Sequence, residues 1–274
     1  VAAATFDQFN ILKAEHPILA DIASFQSAHI NHLTPRTLDI SAVQAAMREA
    51  GMAVKARIEG PPIRQCLILL RQTSFLALEE YVHFRTAIPE LIKAGHKARF
   101  GEVEERGAAV TEQGKILYER LLQEAMALTA NAEPEQVDRI AEDVFKQYPD
   151  TWTELRSKGL IHCEYFCIGK APPGEAGQQL DALALERLIA QGVIEARPIT
   201  YEDFLPFSAA GIFQSNLQSR DKDGRPLQMK HPEPDLLGFV EALEEEPVNI
   251  QSWYSLIQKR SLKAVAENLG MTAA

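Results

Sequence analysis

HINHLTPRTLDI, residues 29–40, sets two histidines three positions apart just ahead of a proline and an arginine. A helix would place His29 and His32 on one face. Pro35 opposes it, because the ring fixes φ, removes an N–H and pushes Thr34 towards extended geometry. The stretch therefore reads as a strand entering a turn, where residues two apart share a face. His32, Thr34 and Arg36 then look one way and His29 the other.

The segments that follow fall into order behind that strand. Asp39 is a suitable N-cap for a short helix carrying Ile40, Val43, Met47 and Ala50 and closing at Gly51. MAVKARIEG (52–60) alternates Met52, Val54, Ala56 and Ile58 and stops at Gly60, Pro61 and Pro62. RQCLILLRQTSF (64–75) reads as a well-buried strand, LALEEYVHFRTAIPELIKAG (76–95) as a helical or irregular insertion, and HKARFGEVEERGAAV (96–110) as a fourth strand. The expected order is β-α-β-β-β. Around it, residues 1–27 read as an N-terminal helix continuing from a preceding segment, 28–110 as the module just described, 111–160 as a helical insertion, 161–217 as the remaining strands with a loop rich in small residues, and 218–274 as C-terminal helices. The fold class is α+β.

Of the 274 residues 46% are hydrophobic and 24% charged, as in an ordinary globular protein, and the net charge of -10 supplies no basic stripe for a nucleic-acid backbone. Apolar runs fall short of the ~20 residues of a membrane span, and the opening VAAATFDQFN lacks signal-peptide regions, so the expected location is cytoplasmic. Cys66, Cys163 and Cys167 suit a reducing compartment and buried apolar roles, because the C-x-x-x-C pair has no second pair to complete a metal site.

A β-α-β-β-β unit curls so that its first and last strands can converge side chains on one concave face. His32 lies on the first strand, and Glu102 and Glu104 share a face of the last. A histidine and a carboxylate suit a divalent cation, and one more histidine would complete a facial triad. The plainer alternatives are a hydrogen-bonding histidine beside a turn and a solvated GEVEERG strand end. Arg36 and Arg71 are candidates to clamp a substrate carboxylate, or else to pair with surface acids. In PITYEDFLPFSAAGIFQSNL (198–217), Ser208, Ala209, Ala210 and Gly211 allow close backbone approach to a ligand.

Taken together, HINHLTPRTLDI, IEGPP, ILLRQTSFLALEE, ARFGEVEERG and ITYEDFLPFSAAGIFQSNL resemble the 2-oxoadipate dioxygenase/decarboxylase family of the vicinal-oxygen-chelate superfold, in the same order from about residue 15 to residue 217. The resemblance implies a glyoxalase-like half barrel with added helices. It also implies a non-haem Fe(II) enzyme that takes 2-oxoadipate and O2 to 2-hydroxyglutarate and CO2 in lysine breakdown. By similarity His32 is a metal ligand and Glu104 the carboxylate ligand, a choice over Glu102 that the spacing leaves open. Gln72 matches a pocket residue, and Phe207 with Ser208 match the place where backbone and hydroxyl meet the substrate carboxylate. Family members also carry an R-H-G-A-I-R-type block with a further metal histidine and substrate arginine, which this chain lacks. The expectations, in order, are a longer polypeptide, a second polypeptide completing the site, or His96 or His83 in the missing place. Two rival readings are a glyoxalase-type lyase or hydrolase and a non-catalytic module that binds a small diacid.

Overall fold

The computed structural model describes residues 1–15, 17–26, 34–76, 79–86, 91–96, 101–129, 134–203 and 236–273. It is a mixed α+β structure whose contacts divide it into two units. The first takes in Val1–Glu59 and Arg71–Glu105, the second Gly60–Leu70 and residues 106–203 and 236–273. The division falls inside the expected 28–110 module.

In the first unit the N-terminal stretch forms two helices, not one: α1 (Phe6–Glu15) and α2 (Pro17–Ser24). The break falls at Pro17, which cannot donate to the preceding turn but suits the first position of a new helix. The stretch expected to be helical or irregular is instead an antiparallel hairpin of β2 (Glu80–Arg85) and β3 (Leu91–His96), with Phe84 opposite Ile92. EYVHFR alternates exposed and less exposed side chains, which is the period of a strand. Phe9, Ala20 and Phe84 form the core between helices and hairpin, with Phe6, Phe25 and Val82 packed around them. Burying each of these phenylalanines contributes on the order of 2 kcal/mol.

The rest of the first unit carries the β-α-β-β-β stretch. α3 (Ile40–Glu49) starts as expected at Asp39, whose carboxylate accepts from Ala42 N–H at 2.9 Å. β1 (Leu70–Ser74) pairs with β4 (Glu102–Arg106). Phe75 N–H donates to Gly101 O at one end and Gly107 N–H to Leu69 O at the other, so the pair is antiparallel and sets Gln72 opposite Glu104 and Arg71 opposite Glu105. Residues 53–59 add on the far side of β1 through the Val54–Phe75 and Glu59–Gln72 bridges, and residues 35–37 add beyond β4 through the parallel Arg36–Glu104 bridge. Four backbone segments therefore lie side by side in the order 53–59, β1, β4, 35–37. The strand expected at 28–34 lies outside the described residues except for Thr34.

The strand expected over 64–75 is regular only from Leu70, because Leu69 turns into the left-handed region at φ 56° and both Gly107 N–H and Ala108 O bond to it. A side chain at Gly107 would come within 2.3 Å of the Leu67 backbone, so only glycine fits there.

In the second unit α4 (Glu112–Thr129), α5 (Pro134–Phe145) and α6 (Trp152–Ser157) follow β4. β5 (Cys163–Cys167) pairs antiparallel with β7 (Ile194–Pro198), and α7 (Ala182–Ala190) connects them. The stretch expected as a plain loop at 169–179 runs into β6 (Gln179–Leu180), which pairs with β8 (Thr272–Ala273). The C-terminal helices are α8 (Leu236–Leu243) and α9 (Ile250–Leu269). α9 lies on β5: Gln258 Oε1 accepts from Cys163 N–H at 2.8 Å and Ser261 Oγ from Tyr165 N–H at 3.1 Å.

Candidate functional site

The two faces of the four-segment sheet differ in what covers them. α3 lies on one: Gln44 Nε2 donates to Thr73 Oγ1 at 2.9 Å, and Ile40 N–H donates to Glu105 Oε1 at 3.3 Å. Arg71 belongs to that face, where its Nη1 donates to the buried Glu105 Oε2 at 3.2 Å.

Alternation along the strands sends the neighbouring residues to the other face. The bridges align Arg36, Glu104, Gln72 and Glu59 in one row across the four segments. Arg36 Nε donates to Glu104 Oε1 at 3.3 Å, while half of the Arg36 side chain stays exposed (53%). A second row holds Glu102, Ser74 and Lys55, the last placed opposite Ser74 by its N–H bond to Ser74 O. Gln72, Ser74, Glu102, Glu104 and Lys55 are all buried. Buried polar groups on this scale stay stable only when their bonding capacity is met. Lys55 Nζ donates to Glu59 Oε1 at 2.8 Å, leaving Glu59 Oε2 buried without a hydrogen-bond partner among the described residues.

The structure thus brings Gln72, Glu104 and Arg36 together and sets Arg71 on the opposite, helix-covered face. His32, Phe207 and Ser208 lie outside the described residues. Lys55 and Glu59 escaped the sequence reading, which took the alternation of Val54, Ala56 and Ile58 as the buried side. Among the described residues no group of three His, Cys, Asp or Glu side chains converges to hold a metal. The charges still favour a cation: Glu59, Glu102 and Glu104 face Lys55 and Arg36, three anions against two cations, and hard carboxylate oxygens suit a divalent ion.

His96 and His83, the alternatives for a further ligand, lie on the hairpin. His96 is fully buried with Nε2 2.7 Å from Asp21 Oδ1 and its ring against Phe9 and Phe25. His83 pairs in register with Lys93. In the second unit a cleft of about 490 Å3 is lined by Arg64, Tyr148, Asp150 and Lys158 among others. Its charges are already matched: Arg64 bonds to Cys66 O and Pro149 O, pairs with Asp150 and stacks on Tyr148, while Lys158 pairs with Glu154. Cys66 and Cys163 are buried as expected, with burial pushing Cys163 up to about 12, whereas Cys167 is only partly buried. No helix among the described residues is long and apolar enough to cross a membrane.

The open face of this α+β scaffold thus gathers carboxylates, an amide and local cations on one side of the sheet. The chain belongs to the 2-oxoadipate dioxygenase/decarboxylase family, whose model matches residues 1–216. A relative of that name from Pseudomonas putida is 39% identical over 275 residues, covering 98% of this chain and 57% of that protein. One from Escherichia coli is 46% identical over 220 residues, covering 78% of this chain and 47% of that protein. The chain therefore spans about half the length of the curated relatives it matches. Among solved structures, hydroxyglutarate synthase from Pseudomonas putida in complex with 2-oxoadipate superposes with a TM-score of 0.74 at 36% identity, covering 98% of this chain and 57% of that one. An uncharacterized protein from Shigella flexneri gives 0.72 at 35% identity, covering 96% and 54%.

Proposed function

We propose that this chain carries part of the active site of an Fe(II)-dependent dioxygenase/decarboxylase that converts 2-oxoadipate and O2 to 2-hydroxyglutarate and CO2. The atoms balance: a six-carbon oxo diacid takes up both oxygen atoms and loses one carbon as CO2. The observation that carries the reading is the row Arg36–Glu104–Gln72–Glu59, a buried polar face in a chain whose family bears that activity in its name. The four segments in their order are the part of a vicinal-oxygen-chelate half barrel that this reading requires.

Glu104, chosen over its neighbour Glu102, would hold the iron together with His32. Bound Fe(II) would supply the Lewis-acid and redox chemistry for the oxidative decarboxylation. Arg36 holds the Glu104 carboxylate by its Nε, fixing the ligand's orientation as an outer partner does. Gln72, directly across from Glu104, offers a carboxamide N–H to a substrate oxygen, and Phe207 with Ser208 take a substrate carboxylate. The buried setting of Gln72 and Ser74 keeps water from the reacting groups. The reading places the enzyme in the cytoplasm, at a step of lysine breakdown.

An oxygen electrode with Fe(II)-loaded protein and 2-oxoadipate tests this. Uptake of one O2 per 2-hydroxyglutarate formed is expected. Conversion without oxygen uptake favours a glyoxalase-type lyase, and 2-oxoadipate binding without turnover favours a binding module.

A further inference from the structure

α8 buries no residue. Leu236, Phe239, Val240 and Leu243 recur along it at three- and four-residue spacing, the stripe by which a helix meets a neighbour. Leu236, Phe239 and Leu243 are nevertheless exposed, and Leu237 beside them is 84% exposed. So short a helix is unstable alone in water, because packing rather than propensity stabilises it. α8 therefore needs a cover. Its charge is one-sided as well: residues 236–249 carry Glu241, Glu244, Glu245 and Glu246, all exposed, and no lysine or arginine.

α9, which follows through residues 244–249, has two faces. Tyr254, Gln258, Ser261 and Val265 make the inward one, where Gln258 and Ser261 bond to β5. Half a turn away, Trp253, Leu256, Arg260 and Lys263 make the outward one with Lys259 beside them, and all five are exposed. Lys263 pairs with Glu267 at 3.8 Å, so this face is positive in a chain of net charge -10.

We infer that these two faces form an interface between two copies of the chain: α8 of one copy lies parallel on the outward face of the second copy's α9, and the reverse contact closes a two-fold dimer. Both stripes run from apolar to charged in chain direction. Leu237 to Glu244 and Trp253 to Arg260 are equal steps, about 10 Å along a helix axis. Parallel packing therefore sets apolar on apolar and acid on base together. Within one chain the short connection turns consecutive helices antiparallel, which would set the acids against Trp253 and the apolar end of α8 against Lys263. The exposed apolar side chains of both faces, at about 100 Å2 each and counted in both copies, approach the roughly 1,600 Å2 of a standard interface.

Sedimentation velocity on the whole chain tests this. At micromolar concentration a species of about 61 kDa is expected, twice the 30.5 kDa of one chain. Two variants reverse charge on one side each: Glu241→Lys/Glu245→Lys on α8 and Lys259→Glu/Arg260→Glu on α9. Each sets like charges across both contacts and is expected to weaken dimerisation by about a hundredfold or more. Mixed in equal amounts, the two variants face opposite charges at both contacts and are expected to dimerise with one another. The chain carrying all four changes is expected to dimerise alone, and because every altered position is exposed the urea midpoints should match the wild type. An α9 variant that stays dimeric, or a mixture that stays monomeric, overturns the inference. So does a monomeric wild type: protection of the α8 amides from hydrogen exchange would then assign the face to packing within one chain, and free exchange to another polypeptide.

Discussion

Two acid–base pairs of the first unit differ in what is left over. His96 and Asp21 are both fully enclosed, their bond is 2.7 Å, and phenylalanine rings close over the imidazole. Lys55 and Glu59 are bonded at much the same distance, yet among the described residues Glu59 Oε2 is buried without a partner. A closed pair secures a helix to a hairpin, whereas the second pair lies on the open polar face of the sheet. Buried polar groups are costly in either case, so the second arrangement persists only if something repays it.

The contrast can be broken most sharply at the open face. Glu104→Ala should lower kcat/KM for 2-oxoadipate by a thousandfold or more, about 4 kcal/mol, while the urea midpoint changes little. A variant that retains activity and iron would remove Glu104 from the metal site. Next in size is the closed pair: Asp21→Ala leaves a buried imidazole without its acid and should cost about 3 kcal/mol or more of stability by urea denaturation. The activity of the folded protein should not move; if it does, the hairpin pair is coupled to the polar face. Arg71→Met, on the helix-covered face, should cost about 2 kcal/mol through the loss of its bond to Glu105 and leave KM near its wild-type value. A large rise in KM would return Arg71 to the substrate.

The smallest effect involves the other buried histidine among the described residues, His162 in the second unit. Its Nε2 meets Gln251 Oε1 at 3.1 Å, its Nδ1 has no partner among the described residues, and burial lowers its pKa below the ordinary 6.5. The folded state then takes up the proton less readily than the unfolded one. Stability is unaffected above pH 6.5 and falls as the pH drops below it, levelling off under the folded pKa. His162→Gln should flatten that slope in thermal melts, and an unchanged slope would assign it to other groups.

Much of this was legible in the sequence. Asp39 as cap, the helix behind it, the strand CEYFC and the helix ALALERLIA all show local signals that the structure repeats. The resemblance drawn from HINHLTPRTLDI and its companions names the family that the comparisons establish. What stayed hidden has physical causes. The β2–β3 hairpin was obscured because its outer side chains, including Tyr81 and Leu91, are large apolar residues left exposed, which blurs the period-2 pattern. Lys55 was missed because a lysine alternating with valine and isoleucine ordinarily marks a solvent face. Only the pairing with Ser74 shows that this side of the segment is buried too. Arg71 and Gln72 are adjacent in sequence, and only the register with Glu105 and Glu104 separates their faces.

The seating of α9 on β5 has a consequence of another kind. The N–H groups of Cys163 and Tyr165 point away from β7, and the side chains of Gln258 and Ser261 occupy them. An open strand edge is a template on which a second chain can build, and here a helix supplies the stopper with side chains in place of backbone. Loosening that helix would therefore expose alternate donors along a β-rich segment with a hydrophobic side. The first symptom of damage at Gln258 or Ser261 should be self-association into extended sheets at high concentration, ahead of any measurable unfolding.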